Sequence, residues 1–552
     1  MKYFNKHILI SIVLVSAFLL RFVHLSNIPA LNADEAALGY NAYSLIQTGK
    51  DEHGNSWPIH FQSFNDYKPA LYGYIILPFI KVFGLNELAV RAPGAFLGVV
   101  NVFFVWLLVK DLGFKKKKVF GIKIGLEDIA ALLLAFSPWH IHFSRGGWEV
   151  NVATMCITAG IYYSLRGLNN HVTNFVYAAV FFVASLYTYH AARIIVPLLL
   201  LGMAFIYFKR FLKVEGKKVF FGAILFGAVL LLPLAYDFLG PAGAARASGV
   251  SIFSDRGPID RINEKRGQHN TLTSSFAKVL HNKPVEYALS FSENYFEHFW
   301  GEFLFLSGDD IQRNKVPEFG LLYTMQFPLL IIAFFVISQK SKKWKIFIWW
   351  LLISPVAAAI TFQSPHALRA QNMVIPLTIF SAYGLYALIS WSSEKQKFLK
   401  NLSYMFAALI MIWSFARYIH QYYVHMAKTY PYSSQYGVKE LMLYLKENES
   451  KYKDIYITDK YDQPYILYLF YTEEDPAEFQ QYHVLTERGE FGFSTVSEYK
   501  KYHFTSINWD RMRDYRNVLL VGTDDEVPEV ESNVIKRIYF PNNDKAFEIV
   551  EL

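Results

Sequence analysis

The sequence predicts an all-α polytopic membrane protein of about eleven transmembrane helices, followed by a small α/β domain expected on the extracytoplasmic side. Three observations lead there. Of the 552 residues 53% are apolar and only 18% charged, against about a quarter charged in soluble domains. Apolar runs recur from residue 8 to residue 420, and a crossing helix needs about 20 such residues. Basic residues bunch in the gaps between runs, the pattern that orients a chain in a bilayer. The net charge of +8 is explained by those clusters, so nucleic acid is not an expected partner. The single cysteine, Cys156, can form no internal disulfide and does not report the redox compartment.

Residues 8–25 follow a basic start (Lys2, Lys6, His7) and resemble a signal peptide in length. No small-x-small cleavage site follows, so they read as a retained first span. Further spans are expected at 88–110, 127–143, 150–166, 174–190, 194–209, 219–236, 321–338, 345–362, 372–391 and 401–420. With the N-terminus inside, the clusters at Lys115–Lys118 with Lys123, Arg166, Lys209–Lys218, Lys340–Lys345 and Lys395–Lys400 all fall on inside loops. Residues 69–84 are apolar but short and hold Pro69, Pro78 and Lys81. Counting them as a span would put Lys115–Lys118 outside, so they read as a juxtamembrane or re-entrant segment. The stretches expected on the outer face are 26–87, 144–151, 187–193, 237–320, 363–372 and 421–552.

The long loop 237–320 shows little periodicity until FSENYFEHFW at 291–300, which reads as an interfacial amphipathic helix. Beyond 430, residues 435–449 pattern as a helix with Val438, Leu441, Met442 and Leu445 on one face. DIYIT at 454–458 and NVLLVGT at 517–523 read as strands, and QPYILYLFY at 463–471 as helix or strand. RIYFP and AFEIVEL read as a hairpin around Asn542-Asn543-Asp544.

The chemistry-bearing residues gather on the outer stretches. Asp34 and Glu35 stand side by side where the first span should emerge, a costly place for two charges. One can act as general base toward an acceptor hydroxyl, with its neighbour in support. The plainer reading is a helix start, with Asn32 or Asp34 as cap and Gly49 as stop. Lys68, after Asp66 and Tyr67, either snorkels or faces a phosphate. Arg145 and Glu149 flank a Gly146-Gly147 corner and either pair with each other or serve a ligand. His190 and Arg193, and His366 and Arg369, are interface anchors or ligand contacts. Lys68, Arg145, Arg193 and Arg369 lie outside against the positive-inside trend, which suggests an anionic ligand there. Arg246, Arg256, Arg261, Arg266 and Asp309-Asp310 add charge to the long loop. There is no P-loop, no G-x-G-x-x-G and no zinc-ligand spacing, so nucleotide binding lacks support.

NADEAALGYNAYSLIQTG, DYKPALYGYIILPFIKVFGLNELAVRAPGAFLG, SPWHIHFSRGGWEVN, LYTYHAARIIVP and HALRAQNMVIPL together resemble the GT-C glycosyltransferases of the protein O-mannosyltransferase and lipid A aminoarabinose transferase branch. The resemblance covers most of residues 1–425 and leaves 430–552 as a loosely similar extracytoplasmic tail. It implies a polyprenyl-phosphate-linked sugar donor, transfer with inversion to a hydroxyl of a protein, lipid or glycan, and an outer active site at the plasma membrane. It implies Asp34 as catalytic base with Glu35 beside it. It implies Lys68 on the donor phosphate, matches Arg145 and Glu149 to the second outer corner, and makes Arg145 and Arg369 expected phosphate contacts; from their outer-face placement Asp66, Glu149, His190, Arg193 and His366 are expected substrate contacts. Some relatives carry Glu before the lysine where this chain has Tyr67. No cofactor is certain, and a divalent metal is left open.

A transporter or flippase for an anionic lipid or solute would also explain outer cations. It would call for polar residues at mid-membrane and usually an internal repeat, neither of which the sequence shows. A sensor or scaffold would make those charges dispensable.

Overall fold

The computed structural model describes residues 7–64, 66–169, 171–240, 251–269, 274–338, 343–487, 494–528 and 533–552, with backbone alone for Asp66 and Ser338. Lys2, Lys6, Arg246, Lys340 and Lys342 lie outside the described residues. The chain is mainly helical, with a seven-stranded sheet near its C-terminus.

Each of the eleven apolar runs is helical. Among the described residues, four helices are long and apolar enough to cross a membrane: Glu87–Lys110, Lys217–Asp237, Gln371–Ser392 and Lys397–Thr429. Proline explains several shorter ones. The run 127–143 is split into Leu126–Ala135 and Pro138–Ser144, because the residue before a proline is pushed out of helical geometry. The run 345–362 is interrupted at Pro355, between Lys345–Ile353 and Val356–Ala359, where proline has no N–H to continue the helical bonding. Residues 69–84, expected as a juxtamembrane segment, form the helix Leu71–Phe83 with Pro78 inside it.

The long loop departs from expectation. Rather than becoming regular only at 291, it holds helices Gly257–Gly267, Ser275–Leu280 and Lys283–Glu297. The last begins eight residues early because Asn282 caps it, accepting from Val285 N at 3.1 Å, and Pro284 sits in its first turn. Such starts are local signals that apolar periodicity overlooks. Arg261 and Lys265 reach the Glu286 carboxylate at 3.7 and 2.8 Å, and Arg266 donates to the His281 carbonyl. These loop cations hold the loop together.

The residues fall into two compact units. The first, 1–18 with 98–143 and 150–416, is a helical bundle. Its helices approach closely through small residues: a Cβ on Gly384 would come within 2.0 Å of the Leu329 carbonyl oxygen, and one on Gly202 within 1.9 Å of the Trp349 ring. Small residues at helix contacts are the usual means of packing helices in lipid.

The second unit comprises 19–97, 144–149 and 417–552, so the first loop and the C-terminal residues share one compact body. Its sheet runs in the order Val534–Tyr539, Lys545–Glu551, Val518–Gly522, Asp454–Ile457, Tyr502–Phe504, Val496–Tyr499, His483–Leu485. The three central strands, from Val518–Gly522 to Tyr502–Phe504, are parallel and the outer pairings antiparallel. Helix Val438–Asn448 buries Val438, Leu441, Met442 and Leu445 as its periodicity predicts. QPYILYLFY is a helix, Pro464–Thr472, with proline at its start. The terminal hairpin forms as expected.

Candidate active site

Asp34 and Glu35 open the helix Ala33–Thr48, and the structure separates them sharply. Asn32 is the N-cap: its side chain accepts from Glu35 N at 3.0 Å, while the Glu35 carboxylate accepts from Asn32 N at 3.2 Å. This is a capping box, and Gly49, at φ 71°, ends the helix as expected. The helix-start reading therefore accounts for Glu35. It leaves Asp34, one residue earlier, with its carboxylate turned outward.

Glu35 is 1% exposed and Arg91 is fully buried. One Glu35 oxygen accepts from Arg91 Nε at 2.6 Å and Gly147 N at 2.7 Å. The other accepts from Arg91 Nη2 at 2.6 Å and from Asn32. Arg91 spends its remaining N–H groups on the carbonyls of Leu25, Pro29 and Ala30 at 2.8–3.0 Å. All five guanidinium donors are thus used, the fork geometry that lysine cannot supply. The pair ties the chain before the helix, the Gly146-Gly147 corner and the start of Glu87–Lys110 into one frame.

Asp34 has a different partner. Lys68 Nζ donates to Asp34 Oδ1 at 2.6 Å, with the two side chains 13% and 30% exposed. Lys68 comes from the hairpin His60–Ser63/Asp66–Pro69, where it pairs with Phe61 and its ammonium sits 4.4 Å from the Phe64 ring centre. Phe61 is held in turn by Gly73, where a Cβ would meet its ring at 2.1 Å. Asp66 opens the same strand. Asp34 and Lys68 thus form a partly open ion pair on a rigid platform, able to accept a proton and to meet an anion.

Glu52, in the same loop, is buried beside the Tyr465 hydroxyl at 3.3 Å and His53 Nε2 at 3.5 Å. Burial pushes its carboxyl up to about 8, opposed in part by Lys68. Burial holds His53 down at about 3, its Nδ1 lying 3.3 Å from His483 Nε2. Asp51 is raised by burial although it accepts from His53 N, Asn55 N and Gln62 N.

Arg145 does not present itself to a ligand. It is fully buried, and its guanidinium donates to the carbonyls of Leu20, Val23, His24 and Ile28 at 2.8–3.3 Å and to the Tyr422 hydroxyl at 3.2 Å. It caps the end of helix Ile8–Phe22, whose last carbonyls lack helical partners. The expected phosphate contact for Arg145 is therefore replaced by a scaffold role. Glu149 is the first residue of helix Glu149–Gly167, a place favoured by the helix dipole.

The other site candidates belong to the helical bundle. Arg193 donates to His190 Nδ1 at 3.0 Å and to the Leu186 carbonyl at 3.1 Å. Arg369, part-exposed, donates to Thr361 Oγ1 at 2.6 Å and Gln363 Oε1 at 3.3 Å. His366 is buried, with its backbone N–H on His298 Nε2 at 3.2 Å and Nδ1 3.7 Å from Asp309. Asp309 also accepts from Ala367 N at 2.6 Å and Asn314 Nδ2 at 3.0 Å, so it anchors the turn that carries Arg369. Burial raises Asp309 and lowers His298 to about 4. Among the described residues, no three of His, Cys, Asp and Glu converge as a metal site.

Sequence reasoning gave no role to Arg91, Glu52 or His298. Arg91 carried a usable signal: a lone arginine early in a strongly apolar helix is a functional or structural marker. Glu52 carried none, since its meaning lies in a burial that sequence does not display.

Residues 67–236 match the family model described as dolichyl-phosphate-mannose-protein mannosyltransferase. No curated protein matches the chain. Among solved structures, ArnT from Cupriavidus metallidurans bound to undecaprenyl phosphate aligns with a TM-score of 0.56 at 11% identity, covering 99% of this chain and 98% of that one. The archaeal oligosaccharyltransferase AglB from Archaeoglobus fulgidus, in complex with an inhibitory peptide and a dolichol-phosphate, aligns with a TM-score of 0.55 at 13% identity, covering 99% and 74%. These likenesses bear out the GT-C fold expected from the motifs.

Proposed function

We propose that the chain is a membrane glycosyltransferase that moves a sugar from a polyprenyl-phosphate donor to an acceptor hydroxyl, with Asp34 as base and Lys68 on the donor phosphate. The observation that carries this reading is the partly exposed Lys68–Asp34 pair at 2.6 Å, held in the first loop of a chain with the GT-C fold. The segment match through 67–236, and the undecaprenyl phosphate and dolichol-phosphate held by ArnT and AglB, support the donor class.

The chemistry follows from the two groups. The acceptor oxygen attacks the anomeric carbon from the face opposite the phosphate, and its proton passes to the Asp34 carboxylate. The carbon–oxygen bond to phosphate breaks, its electron pair stays on phosphate, and the sugar is inverted. The Lys68 ammonium stabilises the charge gathering there. When donor enters, Lys68 divides its three N–H groups between phosphate and Asp34. Asp66 and Glu149, in the same unit as Lys68 and Asp34, remain candidate substrate contacts. In this reading residues 1–425 carry the transferase chemistry and 430–552 complete the compact body that holds the first loop, with site and tail extracytoplasmic.

The test incubates purified protein with a panel of polyprenyl-phosphate sugars and measures release of polyprenyl phosphate. Wild type should release it with at least one donor, and folded Asp34→Asn should not. Release by Asp34→Asn at near wild-type rate would remove Asp34 from the base role.

A further inference from the structure

At the end of the helical bundle where basic residues collect, a cavity of about 1120 Å³ opens between the ends of four helices. Lys209, Arg210, Lys343 and Lys345 line it. Asp111 is its acidic member, and that carboxylate faces Arg166 at 3.8 Å. The cations come from separate parts of the chain and are set apart by structure. Lys343 Nζ donates to the Leu112 carbonyl at 2.6 Å, and Arg210 reaches the Asn169 side chain at 3.4 Å. All four cations, Lys209, Arg210, Lys343 and Lys345, stand exposed.

A second cavity of about 600 Å³ adjoins the first, sharing Ala204 and Phe208 with it. It lies among helices Asn174–Thr188, Ala192–Ile206 and Lys217–Asp237. Phe182, Leu186, Met203 and Leu231 are typical of its walls, and Ser164 is the polar exception among its lining residues. Its size falls within the roughly 300–1,000 Å³ usual for small-molecule sites.

The positive-inside rule accounts for basic loops by charge alone. It requires no chamber, and no apolar groove beside the charged one. A cationic compartment beside an apolar one, with Ala204 and Phe208 lining both, matches an amphiphile with an anionic head and hydrocarbon tails. We propose that this pair of cavities binds an anionic glycerophospholipid, its phosphate among Lys209, Arg210, Lys343 and Lys345 and an acyl chain in the apolar chamber. Basic pockets between membrane helices take anionic headgroups in this way. The site is built from bundle residues that have no part in the Asp34–Lys68 chemistry, so it would act on stability or membrane placement rather than on the transfer step.

The test titrates full-length protein in detergent with tail-labelled phosphatidylglycerol and tail-labelled phosphatidylcholine, and adds glycerol 3-phosphate as a competitor. Phosphatidylglycerol should bind at least tenfold tighter than phosphatidylcholine, and glycerol 3-phosphate should not displace it. Lys209→Gln with Lys345→Gln changes two exposed side chains and so should preserve the fold. It should weaken phosphatidylglycerol on the order of thirtyfold, about fivefold per cation, and leave phosphatidylcholine unchanged. Lys209→Arg with Lys345→Arg should keep the affinity. Equal binding of the two lipids, or an unaltered Gln variant, would overturn the proposal. Displacement by glycerol 3-phosphate would point to a free-phosphate site instead.

Discussion

Glu35→Gln separates the two neighbouring acids. Glutamine keeps the side-chain length, and its amide oxygen can preserve the capping box. Its NH₂ must replace one carboxylate oxygen, and each of those oxygens accepts an Arg91 N–H at 2.6 Å. Either orientation sets donor against donor, and also loses Gly147 N or the Asn32 groups. Arg91 is left as a buried charge with no counter-ion. Breaking such a pair from one side costs about 3–5 kcal/mol. Asp34→Asn, by contrast, disrupts a partly exposed pair worth about 0–1 kcal/mol, yet removes the proposed base, an expected loss of about 10²–10⁴-fold. The assay is thermal and urea unfolding of purified protein, with transfer measured per folded molecule. Glu35→Gln should lose stability and keep turnover, and Asp34→Asn should do the reverse. Glu35→Gln with Arg91→Met, which removes both charges, should regain much of the stability. If Glu35→Gln melts like wild type but cannot transfer, the scaffold argument fails and Glu35 belongs to the chemistry.

Three further outcomes follow from the same geometry. Lys68→Ala should weaken donor binding more than acceptor binding, measured as separate KM values, while an unchanged donor KM would count against the phosphate contact. Gly73→Ala must push the Phe61 ring, which its Cβ would meet at 2.1 Å, and should lower donor affinity by disturbing the strand paired with Lys68; unaltered affinity would show that the platform tolerates the shift. Glu52, raised from 4.5 to about 8, holds a proton in the folded state that the unfolded chain releases. Its stabilising share is complete below about pH 4.5 and is lost as pH climbs toward 8. His53, lowered from 6.5 to about 3, has the opposite sign, and its share is lost as pH falls below 6.5. Between about pH 6.5 and 8 the Glu52 effect therefore dominates, with Asp51 of the same sign. Unfolding free energy should drop there by up to about 1.4 kcal/mol per pH unit, and Glu52→Gln should flatten that slope.

The apolar runs were legible because lipid imposes a length and a composition that any reader of the chain can count. The tail was legible where one face alternates with water, as at Val438, Leu441, Met442 and Leu445. The long loop was not, because its helices begin on caps and prolines at Asn282 and Pro284 rather than on an apolar stripe. Among the expected site residues, Asp34 and Lys68 are joined in one ion pair. Arg145, expected on a phosphate, is buried among backbone carbonyls instead. An arginine on an outer corner reads the same in sequence whether it faces a phosphate or the last carbonyls of helix Ile8–Phe22, and only burial tells them apart.

Exposure also separates the two ion pairs formed by the adjacent acids. The Glu35–Arg91 pair is sealed, so exchanging either partner for a ligand group would strand a charge, and the frame stays shut. The Lys68–Asp34 pair keeps 13% and 30% of its side chains open, and water already offsets most of its attraction. An entering phosphate needs to overcome little to share the ammonium. In the proposed reaction, as Lys68 turns part of its charge toward the donor, Asp34 loses some of its counter-charge and becomes more basic. Donor binding would thereby prepare the base at the moment an acceptor hydroxyl is to be deprotonated. An arginine at 68 would hold Asp34 through two N–H groups at once and blunt that handover. Lys68→Arg should therefore bind donor while turning over slowly, and full kcat in that variant would sever the link between phosphate capture and base activation.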